Sequence, residues 1–427
     1  MRTRGPIATI VICWTLALTV SARAPQTPPR ASRAPAATPA TTAPAPTTDD
    51  CLTCHDDDTL KRGNGTPLAV HKAAFAASVH GPLACVDCHA DLTHAELPHS
   101  EKLAKVDCAS CHADQVALYR QSAHAAARAG GADVAATCTS CHGTHDIRGA
   151  KDPQSRTYHL NVAATCAACH GNRETIARGH IAAGDVATPF ADSIHGLGLR
   201  RSGLLVAPTC SSCHGPHDIR PKRDPASRVS LANTAATCGK CHEGIAHQFA
   251  GGVHAAVLAK GAGGVPSCQT CHTAHAIRHA DNTEWQLTVI SQCGTCHQDK
   301  LATYRDTFHG QATKLGFRAV ATCADCHGNH RILPASDPAS PIARANLIKT
   351  CGTCHADATA NFVKYDPHAD KRNRERNAGL YAAAKGMQLL LFSTFGFFGL
   401  HTVLWLVRGL KDRHARSEEP EENDADV

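Results

Sequence analysis

Two stretches of this 427-residue chain are apolar on every face, and the residues between them pattern only as short elements. The first, Ile7 to Val20, follows Arg2 and Arg4 and ends at the small residues Ser21, Ala22 and Ala24. That order predicts a secretory signal peptide over 1–24. The second, from Gly386 to Val407, is 22 residues long and charged on both flanks. It predicts a transmembrane helix rather than a buried core helix. Residues 25–48 are almost entirely Pro, Ala, Thr, Ser, Arg and Gln, the composition of a disordered linker. Over 49–370 short helices are expected on recurring Cys/His units, joined by Gly-, Pro- and Asp-rich links. The fold class expected is mainly α with much irregular structure, few or no strands, and one transmembrane helix. A basic juxtamembrane segment covers 371–385, and 408–427 forms a tail.

The cysteines decide the chemistry. Of 23, all but Cys13 fall into C-x-x-C-H pentapeptides. In order these are Cys51, Cys54, His55; Cys85, Cys88, His89; Cys108, Cys111, His112; Cys138, Cys141, His142; Cys166, Cys169, His170; and Cys210, Cys213, His214. They continue with Cys238, Cys241, His242; Cys268, Cys271, His272; Cys293, Cys296, His297; Cys323, Cys326, His327; and Cys351, Cys354, His355. Chance from composition gives roughly 0.1 such pentapeptides, against eleven present. Two thiols three positions apart suit the two vinyl groups on one porphyrin edge, and the adjacent His supplies the proximal iron ligand. Zinc ribbons or disulfides would leave the fifth-position His unexplained in every copy. Eleven covalent haem c groups are therefore expected. With aromatic residues at 4 %, they would also have to serve as the core. Cys13 lies inside the signal peptide, and Ile12 before it is too bulky for a lipidation site.

Export is consistent with that cofactor, because haem c is attached outside the cytoplasm. It would place the haem region on the periplasmic side of a bacterial inner membrane. Arg408, Lys411, Arg413 and Arg416 then fit a cytoplasmic C-terminus. The formal charge of +6 does not argue for a nucleic-acid partner. About 22 propionates and about 11 ferric cores would bring it to about −5.

The motifs pair as 85 with 108, 138 with 166, 210 with 238, 268 with 293 and 323 with 351, leaving the motif at 51 alone before five two-motif modules. Two further His recur. An aromatic residue precedes His80, His124, His195, His254 and His309 by five positions. His145, His217, His275 and His330 follow the first motif His of modules two to five by three. The first module departs from this, with His94 five after His89 and His99 as a competitor. Met1 and Met387 are the only methionines, and neither lies in the haem region, so bis-His ligation and low potentials are expected. The distal set expected is these nine His together with His94 and with His71 near the first motif; spacing does not say which motif each serves. His99, His159, His180, His247 and His279 read as solvated or hydrogen-bonded side chains, and His368, in YDPHAD, stays open between the two readings. His401 within the apolar span is a membrane-site residue: a haem b ligand, a group near a quinone, or an interhelical hydrogen bond.

The repeated CHGxHxI and SxHG units resemble the bacterial multihaem cytochromes of the c3-like, doubled C-x-x-C-H group over nearly all of 49–370. The ending FGLHTVLWLVRGL looks like the anchor after the multihaem region of quinone-linked membrane cytochrome b/c complexes. That resemblance implies a separate membrane cytochrome b or quinone-binding subunit as partner, with periplasmic or outer-membrane redox proteins at the other end. The expected role is low-potential electron relay rather than catalysis. A reductase of small nitrogen or sulfur oxyanions is the alternative, and needs one haem with an open axial position. An extracellular filament subunit is a third, which the anchor disfavours.

Overall fold

A computed structural model describes residues 44–261 and 264–418. The signal peptide at 1–24, Cys13, most of the 25–48 linker and the tail beyond 418 lie outside the described residues. Among the described residues the chain is helical with no named strand; a single isolated bridge pairs Lys61 with Pro67.

Helices are short because their signals are local. The motifs at 85, 138, 210, 268 and 323 open a helix at their first Cys and that at 108 one residue later, while the motifs at 51, 166, 238, 293 and 351 begin near the C-terminal end of a helix that starts upstream. At Cys138–His142, Cys210–His214, Cys268–His272 and Cys323–His327, the residue before the motif (Thr137, Thr209, Ser267, Thr322) shares a capping box with Ser140, Ser212, Thr270 or Asp325. The next residue ends these helices with a positive φ: Gly143 at 87°, Gly215 at 85°, Thr273 at 64° and Gly328 at 78°. Glycine adopts that conformation freely, so the chain can leave the motif at a sharp angle.

The second recurring helix starts four residues after the aromatic position. Ser122, Ser193 and Thr307 cap the helices Ala123–Ala129, Ile194–Arg200 and Phe308–Lys314 by accepting from the N–H of Ala125, Gly196 and Gly310. These caps are buried, which fixes where each helix begins.

Between the two motifs of modules two, three and five runs a repeated link, D-P-x-S followed by Asn and Thr. In module three Ser227 donates to the Arg220 carbonyl, Asn233 Nδ2 donates to the carbonyls of Pro225 and Ser227, and Thr237 donates to that of Arg228. Asn161 and Asn346 repeat the two-carbonyl clamp in modules two and five. Side-chain donors thus satisfy backbone carbonyls that no sheet or long helix could reach. Module four replaces the link with one continuous helix, Thr283–Cys296, capped by Asn282.

Apolar packing is sparse. Among the described residues the buried apolar side chains are Leu52, Leu199, Ile290, Tyr304, Leu333 and Ala343, too few for a protein core of this length. The C-terminal helix Ala378–Glu418 contains the one described span long and apolar enough to cross a membrane, with none of its apolar window buried.

Candidate metal centres

Each of the eleven motif His faces one other imidazole, and the ring centroids lie between 5.9 and 6.4 Å apart. The pairs are His55 with His99, His80 with His112, His89 with His145, His124 with His170, and His142 with His217. They continue with His195 and His242, His214 and His275, His254 and His297, His272 and His330, His309 and His355, and His327 and His368. A metal–imidazole bond is about 2 Å and a ring centroid lies about 1.1 Å behind its nitrogen, so two imidazoles on opposite sides of one metal sit roughly 6.3 Å apart. The spacing therefore fits one iron held between two imidazoles, eleven times.

Two details of the rings agree with that fit. His55 Nδ1 is 3.1 Å from the Leu68 carbonyl and His368 Nδ1 is 3.0 Å from Thr303 Oγ1, contacts that leave Nε2 as the free nitrogen of each ring. Burial, and then the facing ring, push the imidazoles of His124, His142, His195, His214, His254, His272 and His309 below their ordinary range. They are held neutral, which is the form that coordinates a metal.

The pairing follows a rule. The helix His of a module faces the second motif His of the same module, as His124 faces His170 and His254 faces His297. The His three after a first motif instead faces the first motif His of the preceding module, as His217 faces His142 and His330 faces His272. A backbone hydrogen bond closes each such joint: Val79, Ala123, Ile194 and Val253 donate to the carbonyls of Ile147, Ile219, Ile277 and Ile332.

Two expected distal residues fall outside this rule. His71 is exposed and 3.4 Å from Asp58 Oδ1, and the imidazole facing His55 is that of His99. His94 is exposed and faces no motif His; His99, ten residues after His89, takes the place that His145 and His217 hold in later modules. The His327 position is completed by His368; residues 356–427 hold no further C-x-x-C-H motif to supply an equivalent residue. The other nine expected distal residues each face a motif His. Of the His read as non-ligands, His159 Nε2 contacts the Ala207 carbonyl at 2.8 Å and His279 Nδ1 lies 3.4 Å from Asp281. Sequence spacing could have favoured His99, because His55 needs a residue arriving from module one.

The cysteines order the centres in single file. First cysteines of consecutive motifs meet between modules: Cys51 with Cys85, Cys108 with Cys138, Cys166 with Cys210, Cys238 with Cys268, and Cys293 with Cys323. Within modules Cys88 lies near Cys111, Cys141 near Cys169, and Cys213 near Cys241. Trp285, at 5.0 Å and 16° to the His272 ring, covers one motif imidazole in module four. His401 lies on the exposed apolar helix.

Comparison with protein-family models, with curated proteins and with solved structures finds no match for this chain.

Proposed function

We propose that the chain is an eleven-haem c-type cytochrome, tethered to the bacterial inner membrane and relaying electrons at low potential. Its electrons would come from a membrane quinol or cytochrome b partner and leave to periplasmic or outer-membrane acceptors. The observation that carries this reading is the set of eleven imidazole pairs, each containing one C-x-x-C-H histidine, at the spacing of two ligands on one iron.

Haem c, when bound, supplies a one-electron iron couple at each centre. The chain's own residues hold and space those couples. Cys pairs fix the porphyrin edge, the motif His and its facing imidazole fix the iron, and the meeting cysteines keep successive centres adjacent. Two imidazoles with no Met among the ligands favour low potentials. The exposed helix Ala378–Glu418 serves as the anchor in this reading, with the haem region on the periplasmic side if the N-terminal segment directs export.

The oxyanion-reductase reading needs a motif His without a facing imidazole, and none of the eleven lacks one. Haem quantification by the pyridine haemochrome method, with electron paramagnetic resonance of the oxidised protein, tests the proposal. Eleven haems, all low-spin, are expected. A clear shortfall in haem, or a high-spin ferric signal from the intact protein, would count against it. Purification from membranes should also retain a quinone-binding or cytochrome b subunit.

A further inference from the structure

In modules one to four the imidazole that faces the first motif His comes from the next module, where it lies three residues after another attachment motif. That residue cannot move far without moving its own haem-bearing motif. His99, which serves the first centre, is likewise enclosed between the attachment motifs at 85 and 108.

His368 is placed differently. It follows the last motif by more than a dozen residues, and its segment runs directly into the helix Ala378–Glu418. Its segment is held by contacts to Thr303 and Asp306 and by others within the segment itself. His368 Nδ1 lies 3.0 Å from Thr303 Oγ1, and its backbone N–H donates to Asp366 at 2.9 Å. Arg376 pairs with Asp366 at 2.9 Å, and Lys371 with Asp306 at 3.2 Å. Both ion pairs are solvent-accessible, so water and salt compete with them.

We infer that residues 366–377 form a releasable ligand arm, which completes the His327 centre in place of a sixth module and opens that one iron to a small neutral ligand when it lifts. The inference rests on the haem reading above. Release of His368 leaves His327 as the single protein ligand, so the vacated sixth position takes one exogenous molecule. No electron or proton is exchanged in this step.

Carbon monoxide is the probe, added to the dithionite-reduced full-length protein and followed in the Soret band. H368G should bind one equivalent of carbon monoxide at once, and added imidazole should return its oxidised form to a wholly low-spin spectrum. K371Q/R376Q keeps His368 but loosens the arm, and should bind that same equivalent several-fold faster than wild type. H94A should behave as wild type. The arm is refuted if H368G gains no carbon monoxide site, or if K371Q/R376Q binds at the wild-type rate. A haem count of eleven in each variant separates these outcomes from failure of the haem reading, which would appear as missing haem.

Discussion

The imidazole of His145 faces that of His89 at 6.4 Å, although the two residues belong to different repeats. The same relation joins His217 to His142, His275 to His214 and His330 to His272. Modules one to four are thus incomplete by themselves, and the first centre of each is closed only when the next module is in place. One consequence is a specific substitution pattern. H217A should leave His142 with no facing imidazole and create one high-spin haem, while the His214 centre in the same module as His217 stays low-spin. H71A and H94A should leave every centre low-spin. Electron paramagnetic resonance of the oxidised variants reads the difference directly.

The residue after each first motif sets a second expectation. Gly143 has φ 87° and ψ −172°, a region open almost only to glycine, and a Cβ there would stand 2.5 Å from Asp146 Oδ1. G143A should destabilise the protein by about 1–3 kcal/mol. Thr273 occupies the same conformation, φ 64° and ψ 175°, with its hydroxyl buried and unpartnered. T273G relieves both costs against a small gain in unfolded-chain entropy, and should stabilise by about 1 kcal/mol. Thermal unfolding of the two holoprotein variants should move in opposite directions.

The clamp residues of the link give a third. Asn233 satisfies two carbonyls from one side-chain nitrogen, at 2.8 and 2.9 Å. N233A should cost about 1–3 kcal/mol, because both carbonyls lose a partner in a half-buried turn. N161A and N346A should cost similar amounts. Module four has no such clamp, so no equivalent substitution exists there. Denaturant midpoints compared across the three variants provide the measurement.

What the sequence makes legible follows from how local each signal is. The Cys and His of a motif sit within five residues, so their grouping is readable directly. The helix His and the CHxxH His are readable as a set because they repeat. Their partners are not, since the pairing of His217 with His142 runs between modules and depends on the turn at Gly215. The two ends fail for a related reason. His55 has no module before it and His327 has none after, so repetition offers no template, and His99 and His368 stand in irregular segments instead. The D-P-x-S link is visible in sequence as a repeat, but its role as a carbonyl clamp emerges only from the hydrogen bonds.

Sparse apolar burial makes haem attachment a condition of folding in this reading. Six buried apolar side chains spread over the described residues cannot offset the entropy of ordering so long a chain. The chain produced where haem is not attached should therefore lack cooperative thermal unfolding and should be cut rapidly by protease. A cooperative transition in the haem-free chain would show that the protein part supplies a core of its own.

The anchor and the ligand arm can be separated, because His368 precedes the helix and its ties to Thr303 and Asp366, like that of Lys371 to Asp306, lie within the haem region and the arm. A chain ending at Asn377 keeps these contacts, and keeps Arg376 beside Asp366. It also removes the exposed apolar surface of Leu389, Phe392, Phe395 and Trp405. It should be recovered in the soluble fraction with its full haem complement and no high-spin signal. A chain ending at Tyr365 should be equally soluble but should show one high-spin haem, because His327 then has no second imidazole. Similar low-spin spectra for both truncations would mean that another residue closes the His327 centre once the arm is gone. Comparing the two thus distinguishes a segment that only connects the haem region to the membrane from one that also supplies a ligand.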